Sequence, residues 1–421
     1  MLIIKNASEL VTCRTFGNKP VIGKNFSDCA IIKNGALVID GEKIIAVGKT
    51  EKVLVRFRRK KFSRIIDASG KIVMPGFIDS HTHLVFAGSR AEEYQLKLKG
   101  QSYEALHRKK GGIHLTVEAT RKAGEDELLH RAEKTLRQMF YLGTTTVEIK
   151  SGYGLTLEDE LKILLVIKRL KKTAKQDIVA TFLGAHTVPL EYRKKRANYV
   201  KLIIEKMLPV IASENLAEYC DVFCDPLGFT PKETAAIFSR ARELEFKLRI
   251  HAEQTARFGG AVLAGNYKTA SADHCDFLNG SDIKNLKKSG TAVTLLPGVL
   301  LHLAEWKKIS RFQEIVKKIK RAGLPLVLAT DYNPGSSPFI SMKMAMDLAM
   351  RFFKLDYNEC LNAATINAAY ALNRSSIIGS LEAGKQADVL VINAPTLRDY
   401  LHQAGDGRID YVIKRGLVSE I

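Results

Sequence analysis

The sequence predicts an α/β protein: a (β/α)8 barrel with a small β-sandwich domain formed from both chain ends. Three observations carry this. Between residues 72 and 334, eight strand-like apolar runs each end in polar residues. Segments with apolar residues recurring at three and four lie between them. Short β runs punctuated by turns fill the two ends of the chain. Eight strands alternating with helices is the count of such a barrel. A doubly wound sheet is the rival, but no Gly-x-Gly-x-x-Gly follows an early strand.

Taken in order, LIIKNA, CAIIKNGALVIDGEKIIAVGK and SRIIDASGKIVMPGF read as all-β, with hairpin signals at Asn34–Gly35 and Asp40–Gly41. GSLEAGKQADVLVINA (379–394) and DYVIKRGLVSEI (410–421) share that character. Residues 1–71 and 376–421 are therefore expected to form one composite domain beside a barrel of residues 72–375. The expected barrel strands begin with IVMPGFIDSHTH (72–83), TTTVEIKS (144–151), DIVATFLGAHT (177–187) and EYCDVFCD (218–225). They continue with FKLRIHAE (246–253), TASADHCDF (269–277), TAVTLLPG (291–298) and PLVLATDYNP (325–334). EDELLHRAEKTLRQMFYLG, LEDELKILLVIKRLKK and PKETAAIFSRARELE are typical of the helices between.

With 421 residues, 46% hydrophobic and 26% charged, the composition is globular rather than disordered. MLIIKNASEL lacks the order of a signal peptide, and no apolar stretch is long enough to cross a bilayer. A cytoplasmic protein without a membrane partner is expected. Six cysteines are too sparse for a disulfide framework, and Cys220 with Cys224 is only half of a zinc clasp. The net charge of +20 invites a nucleic-acid reading. Its basic runs (55–64, 168–172, 192–196, 317–321) are scattered and lack interleaved aromatics. They read as solvated helix faces, and no nucleic-acid partner is expected.

In a barrel of this kind, chemistry sits at the carboxyl ends of the strands. His81 and His83 end the first expected strand, and residues two apart project to one side. His186 ends the third, His251 the fifth, His274 the sixth, and Asp331 follows the eighth. His107, His114, His130, His302 and His402 fall in helices or loops, where packing or surface roles are expected. His81, His83, His251 and Asp331 offer four N/O ligands, a set that suits Zn2+ or Fe2+ with a water completing it.

PGFIDSHTH, the later HAE and HCD, and an Asp after a final strand resemble the amidohydrolase superfamily of metal hydrolases. AGSRAEEYQLKLKGQSY, GGIHLTVEATR, EIKSGYGLTLEDELK, FLGAHTVP, CDVFCD, IHAEQ, DHCDFL and ATDYNPGSSP narrow the likeness. They resemble the branch that opens the ring of 4-imidazolone-5-propanoate in histidine degradation. The likeness runs from about residue 72 to 373, and LEAGKQADVLVI extends it into the terminal domain.

The resemblance implies hydrolysis of the ring amide C–N bond to N-formimidoyl-L-glutamate, a small-molecule substrate and a homodimer. It also implies one divalent ion per chain, because EYCDVFCD has no lysine to carry the carboxylated bridge of binuclear relatives. Lys150, on the second strand, is then structural or electrostatic, and a bridging Cys224 thiolate is the residual alternative. Asp331 would move protons as well as bind metal, and His274 would stabilise the developing oxyanion. Some relatives carry a glutamate shuttle where Gln254 stands. An amide cannot relay a proton, so Gln254 becomes a substrate contact. Glu253 becomes the acid/base candidate, with a surface carboxylate as its alternative. Arg90 would clamp the propanoate carboxylate. Tyr153 and His186 match ring or carboxylate contacts, and Asn333, Gly335 and Ser336 a substrate loop, with Tyr103 a weaker candidate. The rival reaction, deamination of a purine or pyrimidine, would want a glutamate at position 254 and no carboxylate clamp.

Overall fold

The computed structural model describes residues 1–421 except 16, 18, 100–110 and 406–407; Tyr103 and His107 lie outside the described residues. Five strands open the chain: β1 (Leu2–Val11), β2 (Ile31–Asp40), β3 (Lys43–Lys49), β4 (Arg64–Asp67) and β5 (Ile72–Pro75). Eight more follow: β6 (Phe77–Asp79), β7 (Thr144–Lys150), β8 (Asp177–Ala185), β9 (Tyr219–Cys224), β10 (Lys247–Ala252), β11 (Ser271–His274), β12 (Ala292–Leu295) and β13 (Leu326–Leu328). The last three are β14 (Val389–Ile392), β15 (Ile409–Lys414) and β16 (Leu417–Glu420).

Strands β6 to β13 lie side by side in sequence order as a parallel sheet. The ring closes through backbone bonds just past its first and last strands. The Asp331 N–H donates to the His81 carbonyl at 3.0 Å, and the His83 N–H to the Tyr332 carbonyl at 2.9 Å. Two of the helices between strands start at caps that the sequence supplies. The Thr230 and Asn279 side chains close capping boxes ahead of Pro231–Glu243 and Gly280–Ser289. The helix Ile309–Ala322 buries Phe312, Ile315, Val316 and Ile319, one stripe facing the barrel, and leaves Lys317, Lys318 and Arg321 of a basic run exposed. Among the described residues, no helix is long and apolar enough to cross a membrane.

The terminal strands form one mixed sheet in the order β16-β15-β14-β5-β1-β2-β3, with β4 also paired to β1. This mixed sheet packs two clusters: in one Leu10, Leu37 and Ile39 meet Val389, Val391 and Ile413, and in the other Ile3, Ala36 and Val38 meet Val53 and Phe57.

Three local expectations change. The run 72–83 is not one barrel strand: β5 pairs with β1 and β14 in the terminal sheet, and the barrel begins at β6. Gly76 makes the joint, where a Cβ would come within 2.3 Å of the Thr145 hydroxyl oxygen. Asn34–Gly35 is no hairpin turn but lies inside β2, and a Cβ on Gly35 would stand 2.3 Å from that of Leu10. The turn is at Asp40–Gly41, where Gly41 takes φ +55°. The N-terminal region is also not all-β, because Thr50–Phe57 is a helix that buries Val53 and Phe57.

Candidate metal centre

The strand ends bring His81, His83, His251, His274 and Asp331 together at the carboxyl-terminal mouth of the barrel, all buried. Asp331 Oδ1 stands 3.4 Å from His81 Nε2 and 3.4 Å from His83 Nε2. His251 Nε2 lies 3.5 Å from His83 Nε2. Tetrahedral ligands about 2.0–2.1 Å from one zinc ion stand about 3.3 Å apart, which is this spacing. Buried His81 Nε2 and Asp331 Oδ1 have no hydrogen-bond partner. Orphaned polar atoms converging on one point fit a cation. A second grouping, His81 with His251 and His274, also has its ligand atoms within 4.8 Å of one another.

The outer ring nitrogens are fixed from below. His81 Nδ1 lies 2.7 Å from Asp273 Oδ2, and His251 Nδ1 3.1 Å from Asp221 Oδ1. An Nδ1–H held by a carboxylate leaves the Nε2 lone pair for a metal. Lys150 Nζ donates to Asp221 at 2.8 Å and to Glu148 at 2.9 Å, while Arg249 Nη2 donates to Asp273 at 3.3 Å and to the Ser80 carbonyl at 2.9 Å. These five charged side chains are buried, and burial is tolerable only because each is paired. Lys150 and Arg249 carry +2, and Glu148, Asp221, Asp273 and Asp331 carry −4.

Electrostatics separate the imidazoles. Burial and Lys150 pull His81 down, but Asp273 and Asp331 outweigh them and raise it to about 9. Burial lowers His83 to about 4 and takes His186 and His274 well below the ordinary value. Burial opposes the Asp331 charge, yet the imidazoles of His81 and His83 beside it hold its carboxyl well below the usual range. Three residues here adopt left-handed backbone: Glu253 (φ 55°), His274 (φ 71°) and Asp331 (φ 53°). Each costs on the order of 1–3 kcal/mol and persists only where surroundings over-determine it. For Asp331 the brace is Asp79, whose carboxylate accepts the Thr330 N–H at 3.1 Å and its hydroxyl at 2.5 Å.

Above the ligands opens a cleft lined by His83, Arg90, Tyr153, His186, Gln254, His274, Asp331, Asn333, Gly335 and Ser336, with Ile113, Phe223, Leu227 and Thr255. The expected substrate contacts among the described residues, Tyr103 being outside them, therefore line one cleft. The Arg90 guanidinium is oriented by Glu93, at 2.5 Å from Nε, and by Thr116, at 3.3 Å from Nη1. Gly335 packs against it, since a Cβ there would come within 3.0 Å of Nη1. His186 stacks on His83 with centroids 4.8 Å apart, and its Nδ1 lies 3.1 Å from the Gly152 carbonyl. Asn333 holds its own loop: its carboxamide donates to the Asp331 carbonyl at 2.6 Å and accepts from the Gly335 and Ser336 amides.

Glu253 is the exception and a correction. It does not line the cleft; its carboxylate accepts N–H bonds from Phe258, Gly259 and Ala261. With its carboxylate tied to the amides of residues 258–261, it shapes the loop carrying Gln254. Cys224, the alternative bridging ligand, belongs to neither ligand grouping found among the described residues. Six cysteines are buried and free. Sequence reasoning missed Asp221, Asp273, Glu148 and Arg249. Their signal was present, because a charged residue inside an otherwise apolar strand must find a buried partner.

A sequence model of the amidohydrolase family matches residues 72–418. The imidazolonepropionase of Alkaliphilus oremlandii is 42% identical over 415 residues, covering 99% of this chain and 97% of that one. The imidazolonepropionase of Caldanaerobacter subterraneus subsp. tengcongensis is 40% identical over 413 residues, covering 98% and 96%. Among solved structures, an adenosine deaminase from Xanthomonas campestris with bound zinc superposes with a TM-score of 0.70 at 18% identity, over 100% of this chain and 93% of that one. At that identity the likeness is one of fold.

Proposed function

Because the chain belongs to the amidohydrolase family, within its imidazolonepropionase branch, we propose that it hydrolyses the ring amide C–N bond of 4-imidazolone-5-propanoate to N-formimidoyl-L-glutamate. This is the ring-opening step of histidine degradation. The observation that carries the reading is that one cleft is lined by three of the ligands, His83, His251 and Asp331, and also by Arg90, Tyr153, His186 and Gln254.

His81, His83, His251 and Asp331 would hold one divalent cation, zinc or iron. Bound there, it supplies Lewis acidity, lowering the pKa of water from 15.7 toward about 7. The chain's own residues do the rest. Arg90, fixed by Glu93 and Thr116, takes the propanoate carboxylate on its remaining N–H groups. Tyr153 and His186 bound the ring. Gln254 offers a donor and an acceptor to neutral ring atoms and keeps its own protons.

As the water oxygen bonds to the carbonyl carbon, Asp331 takes the water's proton. It returns that proton to the ring nitrogen as the C–N bond breaks. His274, kept neutral by burial, has one N–H to donate to the developing oxyanion. The balance closes on one water: its O–H stays on the carbonyl carbon as a carboxyl group, which releases that proton to solvent at neutral pH, and its other hydrogen ends on the ring nitrogen.

The reading includes a cytoplasmic homodimer, as the resemblance implies; light scattering at twice the chain mass supports the dimer, and the single mass overturns it. Deamination is the rival reaction, and Gln254, in place of a carboxylate shuttle, argues against it. Incubating metal-loaded protein with 4-imidazolone-5-propanoate tests the reaction. Formation of N-formimidoyl-L-glutamate above the uncatalysed rate is expected; ammonia release from purines or pyrimidines instead would favour the rival.

A further inference from the structure

The helix Leu157–Thr173 begins beside the loop that carries Tyr153. In its first turns stands Glu160, fully buried. Its Oε2 accepts the Gly152 N–H at 3.0 Å, and its Oε1 accepts those of Gly154 and Leu155, both at 2.8 Å. The amides on either side of Tyr153 therefore end on one carboxylate. The loop also has a carbonyl-side brace: Arg121 Nε donates to the Gly154 carbonyl at 2.7 Å. His186, beside Tyr153 in the cleft, holds the Gly152 carbonyl at 3.1 Å.

A buried carboxylate near a helix start often serves only as a cap. Here that duty is already filled, because the Thr156 hydroxyl accepts the Asp159 N–H at 3.0 Å. The loop needs outside support: Gly152 has φ +110° and Leu155 has φ 58°, both on the positive-φ side, outside the ordinary regions. Space is closed as well, since a Cβ on Gly154 would meet the Glu160 backbone nitrogen at 2.5 Å. Glu160 touches neither the ligand set nor the cleft.

We propose that Glu160 is a positioning residue for ring opening, setting Tyr153 and His186 against the substrate through the backbone of residues 152–155. This rests on the reading that Tyr153 meets the substrate. Glu160→Gln keeps the size of the side chain but replaces one acceptor oxygen by an N–H2 group, which meets an amide donor head-on.

The test uses the metal-loaded full chain and 4-imidazolone-5-propanoate. Glu160→Gln raises KM about tenfold and leaves kcat within about threefold, with metal content unchanged. Tyr153→Ala also raises KM. In the double variant the two penalties do not multiply, because the first acts through the second. Multiplying penalties, a kcat loss at constant KM, or no effect of Glu160→Gln overturns the proposal while the Tyr153 reading stands. An unchanged KM for Tyr153→Ala alone instead removes Tyr153 from the substrate, and the proposal falls with it. If Glu160→Gln does not fold, Arg121→Gln loosens the same loop from its carbonyl side and carries the same expectations.

Discussion

His81 Nδ1 stands 2.7 Å from Asp273 Oδ2, with both side chains wholly buried. The same carboxylate oxygen lies 3.3 Å from Arg249 Nη2. Asp273 therefore orients a metal ligand and pairs a buried cation at once. Asp273→Asn is expected to weaken metal binding about 10–100-fold, the usual effect of losing such a partner. It should also destabilise the fold by about 3 kcal/mol, because Arg249 loses its closest charge partner. Chelator competition and thermal melting measure the two effects; metal affinity equal to wild type would contradict this role.

Metal binding should depend on pH through His81. With no cation competing, Asp273 and Asp331 hold its proton to about 9, while His83 is already neutral at pH 7 because burial lowers it to about 4. A cation must displace the His81 proton, so apparent affinity rises with pH, by about tenfold per unit below 9. The sign for stability is opposite in the stripped protein. A histidine raised above its unfolded value of 6.5 contributes stability that is full below 6.5 and lost as pH passes about 9. Titrations at several pH values, corrected for the chelator, should show this slope; a flat profile from pH 6.5 to 9 would refute it.

Much of this was legible in the sequence because the barrel repeats one pattern. Alternating strand and helix periods marked the eight strands, and the mouth rule then picked out His81, His83, His251, His274 and Asp331. What escaped was decided by neighbours distant in the chain. β5 left the barrel because it could pair with β1 and β14. The buried charge layer of Glu148, Lys150, Asp221, Arg249 and Asp273 spans four strands, so no local spacing reveals it. Adjacency to His251 does not reveal that the Glu253 carboxylate is taken by the amides of Phe258, Gly259 and Ala261.

Under the proposed function, Arg90 is the residue that would anchor the propanoate arm. Arg90→Ala should raise KM about 10–100-fold with kcat within a few fold, the pattern of lost uniform binding. Arg90→Lys should recover only part of this, since an ammonium cannot match the planar fork. Steady-state kinetics decide it; an unchanged KM for Arg90→Ala would remove the clamp.

Glu253 and Asp331 separate loop shape from proton transfer. Glu253→Gln should lower kcat/KM by about tenfold or less and leave the shape of the pH–rate profile intact, because no reacting proton passes through it. Asp331→Asn, which removes a ligand and the proton carrier, should cost about 1,000-fold or more in kcat. A pH–rate profile that loses a limb in Glu253→Gln would restore Glu253 as the acid/base.

The central claim is that four ligands at the barrel mouth hold one cation that serves ring opening. Protein stripped by chelation and then titrated with zinc or ferrous ion, while loss of 4-imidazolone-5-propanoate absorbance is followed, tests it most directly. Activity should start at the uncatalysed rate, rise linearly and level off at one equivalent per chain. A plateau at two equivalents, or no rise at any, would contradict it.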